Sequence, residues 1–184
     1  ISEAFKVARG VGLDSSPQMI ERALKRQAHH SHLSFEVVDG PTIPLPNESV
    51  DVALSLLSWR YLDWDPLMIE LMRVLKPGGR LLVIDMVTAP PKLSEWPALT
   101  RDTHKSRWQR RRHPTYQAHL KRLVSDPAWA EMLRYNPIRA QHELVWYFES
   151  RFEGREVEVL NIGRRARVLA FDSGPLGEER HALP

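Results

Sequence analysis

Short apolar runs that end at an acidic residue and are followed by a capped amphipathic segment constrain this chain more than anything else in it. Val11, Gly12 and Leu13 form such a run and stop at Asp14; Ser15 or Ser16 can cap the segment that follows, with Pro17 at its first helical position. Met19, Ile20, Ala23, Leu24 and Gln27 then fall on one side of a helix. Residues 34–38 read as the next strand, ending at Asp39, and Pro41, Pro44 and Pro46 exclude regular structure until Asn47 or Glu48. Residues 50–57 are a continuous apolar run of the kind buried on both faces of a parallel sheet. Asp65 and Pro66 open a helix with a Leu67, Met68, Leu71, Met72 and Leu75 stripe, and Lys76-Pro77-Gly78-Gly79 closes it before a strand over residues 80–87.

Strand and helix alternating at this spacing require right-handed crossovers, which predicts an α/β fold with a doubly wound, largely parallel sheet. At 184 residues the chain suits a single domain. The pattern changes after residue 87, because Pro90, Pro91, Pro97, Pro114, Pro127 and Pro137 cut a stretch rich in Arg, Trp and His into helical pieces. Residues 88–137 are therefore expected to be a helical insertion over one end of the sheet. Residues 138–152 return as a helix, 157–160 and 165–171 pair as an antiparallel hairpin, and 172–184 form a loose tail. A helix tail is expected over residues 2–9.

Ligands of open parallel sheets lie beyond the carboxyl ends of the strands, so the strand ends carry the functional information. A carboxylate at Asp14 can accept hydrogen bonds from both hydroxyls of a ribose; equally, it can cap the strand-to-helix turn. Asp39 can accept from the exocyclic amine of an adenine, with Ile43 and Leu45 flanking the ring, or can serve an Asp39-Gly40 turn.

The ordered set Val11-Gly-Leu-Asp-Ser-Ser-Pro-Gln-Met19, Val38-Asp-Gly40 with Ile43-Pro-Leu-Pro46 and Ser49-Val-Asp-Val52, and Arg73-Val-Leu-Lys-Pro-Gly-Gly-Arg-Leu-Leu82 is similar to the class I S-adenosylmethionine-dependent methyltransferases. Within them it most resembles the methyltransferase type 11 group that includes the ubiquinone and menaquinone biosynthesis enzymes. The resemblance covers about residues 1–87 and implies a Rossmann-like sheet that binds S-adenosyl-L-methionine. It places Asp14 on the ribose with Ser15 beside it, Met19 against the adenine, Asp39 and Gly40 on the adenine side, and Leu56 and Ser58, within residues 55–58, along the path of the sulfonium and the acceptor. It also implies that the first strand and its glycine-rich loop are missing ahead of Ile1, leaving two sheet fragments. Many relatives carry a His where this chain has Trp59-Arg60-Tyr61-Leu62.

The implied reaction is methyl transfer to a small-molecule acceptor by in-line displacement, for which the protein mainly aligns three atoms. A general base is optional, with Tyr61, His113, Tyr116 and His142 as candidates. A nicotinamide-dependent oxidoreductase shares the acidic strand end, and an inactive fragment acting through a basic surface is the remaining alternative. That surface would be the block Arg101, Lys105, Arg107, Arg110, Arg111, Arg112, Lys121 and Arg122, which faces only Asp102 within its stretch. Nucleic acid is not the expected partner, since no Asn- or Asp-Pro-Pro-Tyr motif follows the strand over residues 50–57. His29, His30 and His32 sit at a helix end without an acidic or cysteine partner and are read as a solvated terminus rather than a metal site. The six tryptophans, Trp59, Trp64, Trp96, Trp108, Trp129 and Trp146, can line an apolar chamber or fill a core. No apolar run approaches a membrane span, and the absence of cysteine fits a cytoplasmic setting.

Overall fold

A computed structural model of the chain describes residues 8–26, 31–135, 137–163 and 166–177. The helix expected over residues 2–9 and the end of the tail, residues 178–184, lie outside the described residues, apart from Ala8 and Arg9. The strands fall into two sheets, as the resemblance led us to expect, one of order β1-β2 and one of order β3-β4-β6-β5. The chain divides into two compact units: Ile1–Asn47 with Asp63–Val74, and Glu48–Leu62 with Leu75–Pro184.

In the first unit, β1 (Gly10–Asp14) pairs in parallel with β2 (Leu33–Val37), and α1 (Pro17–Arg26) makes the crossover between them. Pro17 starts α1 as anticipated, and Ser16 caps it, its Oγ accepting the Met19 amide at 3.4 Å. Gly10 and Gly12 face the β2 side chains so closely that a Cβ would stand 2.7 Å from Leu33 and 2.5 Å from Phe35. Small residues on β1 thus let Leu33 and Phe35 fold over it. The proline-rich segment after β2 is tied to α2 (Trp64–Val74) by polar contacts: Glu70 accepts the Ile43 amide at 2.9 Å, and Arg73 donates to the carbonyls of Ile43 and Leu45, each at 2.8 Å. Ile43 is buried, so it belongs to this packing.

In the second unit, β3 (Val50–Leu56) runs parallel to β4 (Leu75–Val87), which pairs antiparallel with β6 (Arg167–Asp172); β5 (Glu158–Ile162) closes the sheet antiparallel to β6. The expected terminal hairpin is present. β4 alternates, with Leu81, Val83, Asp85 and Val87 inward. Against that side lie Leu144, Tyr147 and Phe148 of α6 (Gln141–Glu149), spaced to share one helix face. Phe148 stacks on Phe171 with ring centroids 4.3 Å apart, and Trp59 and Phe152 extend the cluster, at 5.1 Å from Phe148 and from Phe171 respectively.

Two sequence expectations change here. Lys76-Pro77-Gly78-Gly79 does not precede the strand but lies within it, because Leu75 already pairs with Val50 before the ladder resumes at Val52 and Arg80. The extra residues loop out as a bulge, with Gly78 at φ +77° and Gly79 pressed against the Lys76 and Asp51 carbonyls. The run over residues 50–57 is not buried on both faces either: β3 is an edge strand, and Val52, Leu54 and Leu56 remain about half exposed.

The insertion consists of α3 (Trp96–Arg112), α4 (Pro114–Val124) and α5 (Pro127–Tyr135). Pro97 starts α3 rather than interrupting it, which is why this helix runs to 17 residues. Asp102 of α3 accepts the Ile162 amide of β5 at 3.1 Å, and Glu95, just before α3, grips Arg167 of β6 at 2.7 and 2.8 Å. Among the described residues, no helix is long and apolar enough to cross a membrane.

Candidate functional site

The carboxyl ends of β1 and β2 bring five of the sequence-selected residues together. The parallel ladder sets Asp14 opposite Val37, and the Asp14 carbonyl accepts the Val38 amide at 3.1 Å, so Asp39 follows immediately beside the β1 tip. Asp14 Oδ1 accepts the Ser16 amide at 2.8 Å, which realises the capping role; Oδ2 has no donor among the described residues. Ser15 is exposed at the turn, and Met19, in the first turn of α1, keeps about half of its surface in solvent. Asp39 is exposed, and Gly40 at φ +79° supplies the left-handed residue that turns the chain away from β2.

Leu56 and Ser58 belong to the other unit, at the carboxyl end of β3. Leu56 ends the strand half exposed, and Ser58 shares a hydrogen bond with Ser55, Oγ to Oγ, at 3.0 Å. Between them Leu57 adopts φ 56°, a left-handed backbone unusual for a branched side chain, held by its amide donating to the Ile84 carbonyl at 2.7 Å. The chain then enters the single turn Trp59–Tyr61, which two buried polar groups organise. Asp85, 1% exposed, accepts the Arg60 amide at 3.0 Å through Oδ2 and the Met86 amide at 2.6 Å through Oδ1. Arg60 is itself buried, its guanidinium over the Tyr61 ring and bonded to the Tyr61 hydroxyl, while Nε and Nη1 have no acceptor among the described residues.

Sequence reasoning missed Asp85 and Arg60. An acidic residue inside Leu81-Leu-Val-Ile-Asp-Met-Val87 was the available signal, since a carboxylate on an inward strand face must be satisfied by nearby donors. The other candidates separate. Tyr61 is engaged by Arg60, His113 ends α3 in solvent, Tyr116 is exposed on α4 and His142 is exposed on α6. Trp59 is core, Trp96, Trp108 and Trp146 are more than half exposed, and the side chain of Trp129 is outside the described residues, so the described tryptophans do not form one chamber. His29 and His30 also lie outside the described residues; no cluster of three metal-binding side chains occurs among the described ones.

Residues 1–83 match the family model described as a methyltransferase domain. The chain is 38% identical over 92 residues to a malonyl-[acyl-carrier protein] O-methyltransferase of Hahella chejuensis, covering 48% of this chain and 32% of that protein. It is 33% identical over 94 residues to a demethylmenaquinone methyltransferase of Thermus thermophilus, covering 50% of this chain and 42% of that protein. The chain thus spans well under half the length of these relatives. Its fold is similar to the crystal structure of a SAM-dependent methyltransferase from Aquifex aeolicus, with a TM-score of 0.53, 16% identity, and coverage of 89% of this chain and 68% of that one.

Proposed function

We propose that this chain, which belongs to the class I S-adenosylmethionine-dependent methyltransferases, holds the adenosyl half of S-adenosylmethionine at the β1–β2 tips and serves methyl transfer to a small-molecule acceptor. The observation that carries the reading is that Asp14 ends β1 and Asp39 lies two residues past the end of its parallel neighbour β2, with the Val38 amide donating to the Asp14 carbonyl between them. Asp14 accepts from the ribose hydroxyls, Asp39 accepts from the adenine amine, Gly40 lets the backbone turn beside the ring, and Ser15 and Met19 complete the sugar and base contacts.

The donor arrives already activated, because a sulfonium is a strong electrophile with a neutral leaving group. When bound, it would supply a methyl group open to in-line displacement by an acceptor lone pair, with sulfur leaving as a neutral thioether. The work left to the protein is alignment and exclusion of water, which requires no general base. A relative named as a demethylmenaquinone methyltransferase supports a small organic acceptor. A cytoplasmic site of action fits the absence of cysteine.

Titration calorimetry of S-adenosylmethionine into the full chain tests the assignment. Asn at position 14 keeps an oxygen for the Ser16 amide but removes the charge that two ribose hydroxyls share. Asp14→Asn is expected to weaken binding about 10- to 100-fold, from about 1.5–3 kcal/mol for a charged hydrogen-bond acceptor. Equal affinity in the variant, or preferential binding of a nicotinamide dinucleotide, overturns the reading.

A further inference from the structure

A second site lies within the unit that contains the four-stranded sheet. The inward side of α3 and the β5–β6 hairpin enclose a cleft of about 840 Å³ at the end of β4. Its helical wall is polar and cationic. Ser106 and Arg110, one turn apart, face its middle, while Lys105 and Arg107 reach in from the two borders of the same helix face. None of these three cations has a carboxylate partner among the described residues. The opposite wall and floor are largely apolar, from Met86, Leu160, Ile162 and Val168.

The charges already present do not cancel these cations. Asp102 is the one carboxylate in the wall, and both its oxygens are occupied, by Arg101 at 3.3 Å and by the Ile162 amide at 3.1 Å. Arg167 also borders the cleft, but its buried guanidinium is matched by Glu95 and the Pro90 carbonyl. Three cations without carboxylate partners along one wall mark a place where an anion would supply what the protein does not.

We propose that this cleft binds a small organic phosphate whose apolar body lies on the Met86, Ile162 and Val168 floor. A phosphate monoester carries about −1.5 to −2 charge and three acceptor oxygens, enough for three cationic side chains at once; a carboxylate carries one charge and two oxygens. The apolar floor favours a ligand with a hydrocarbon portion over a bare anion. The proposal stands apart from the Asp14 and Asp39 assignment, so a failure to bind the methyl donor leaves it intact.

Hexyl phosphate titrated into the full chain, in parallel with inorganic phosphate and hexanoate, tests it. Hexyl phosphate is expected to bind at least tenfold more tightly than either of the other two, and more weakly as salt rises. The double variant Lys105→Glu, Arg110→Glu is expected to lose at least tenfold in affinity. Arg111→Glu with Lys121→Glu makes the same change in net charge on exposed residues away from the cleft and is expected to bind as the parent does. Equal losses in the two double variants, or hexanoate binding as tightly as hexyl phosphate, overturns the site. So does a single-stranded RNA that binds more tightly than hexyl phosphate and is lost in the Lys105→Glu, Arg110→Glu variant, because the surface would then serve a polymer.

Discussion

Replacing Glu70 by Gln isolates the ion pair that fastens the proline-rich segment to α2. The Glu70 carboxylate receives three donors: Arg73 Nε at 2.9 Å, Arg73 Nη2 at 2.7 Å and the Ile43 amide at 2.9 Å. Arg73 hydrogen-bonding, then the Ile43 amide, hold its pKa well below the ordinary 4.5, at about 2. At about 1.4 kcal/mol per tenfold change in proton affinity, that gap corresponds to at most ~3.5 kcal/mol. The two side chains keep 18% and 30% of their surface in water, and solvent screening brings the contribution to about 1–2 kcal/mol. A carboxylate whose folded pKa is depressed stabilises the fold above the unfolded value and loses that contribution as pH falls through the folded one. Glu70→Gln is therefore expected to cost about 1–2 kcal/mol at pH 7 in urea unfolding followed by circular dichroism. More than half of the difference between parent and variant should be gone by pH 3, where other carboxylates titrate equally in both proteins. A difference that is the same at pH 7 and pH 3 refutes the ion-pair account.

Two further substitutions probe the sheet. Phe148→Ala removes a fully buried ring stacked on Phe171 and is expected to cost about 3–5 kcal/mol in denaturant unfolding, with loss of the near-ultraviolet aromatic signal; a cost under about 1 kcal/mol would contradict its central position. At the bulge, Gly79→Ala puts a Cβ 2.9 Å from the Lys76 carbonyl and 3.2 Å from that of Asp51, whereas Gly78→Ala meets no atom and strains only a φ of +77°. Thermal unfolding should rank Gly79→Ala, at about 2–3 kcal/mol, as more harmful than Gly78→Ala, at about 1 kcal/mol; the reverse order argues against the bulge geometry.

The parts of the fold that were legible are those whose signals are local. Asp14, Ser16 and Pro17 specify a strand end, a cap and a first helical turn within four residues, and the structure uses each that way. What depends on a distant partner was not legible. Whether Lys76-Pro77-Gly78-Gly79 ends a helix or loops out of a strand is decided by Leu75 pairing with Val50, and no feature of the four residues reports that. The run over residues 50–57 likewise looks the same whether its strand has one neighbour or two. Trp59 could be assigned to the core only once α6 set Tyr147 and Phe148 against it. The arginine block was visible as composition, but its division into cleft-lining Lys105, Arg107 and Arg110, and Arg111 on another side of the helix, appears only when α3 is laid along the hairpin.

At Asp14 the capping role and the binding role, which the sequence leaves as alternatives, are compatible because a carboxylate has two oxygens. Oδ1 is held by the Ser16 amide, and that bond fixes the side chain at the β1 tip before any ligand arrives. Oδ2 has no donor among the described residues, so a ribose hydroxyl can take it without displacing the cap. For the ribose contact proposed above, the cap would lower the ordering cost of binding, since the side chain is already oriented. Asp39 sits in an exposed turn with no such tether among the described residues, so in the proposed site the larger share of preorganisation would rest with Asp14. On that reasoning Asp14→Ala, which removes both charge and tether, should weaken the methyl donor more than Asp14→Asn, and both should exceed the loss from Asp39→Asn.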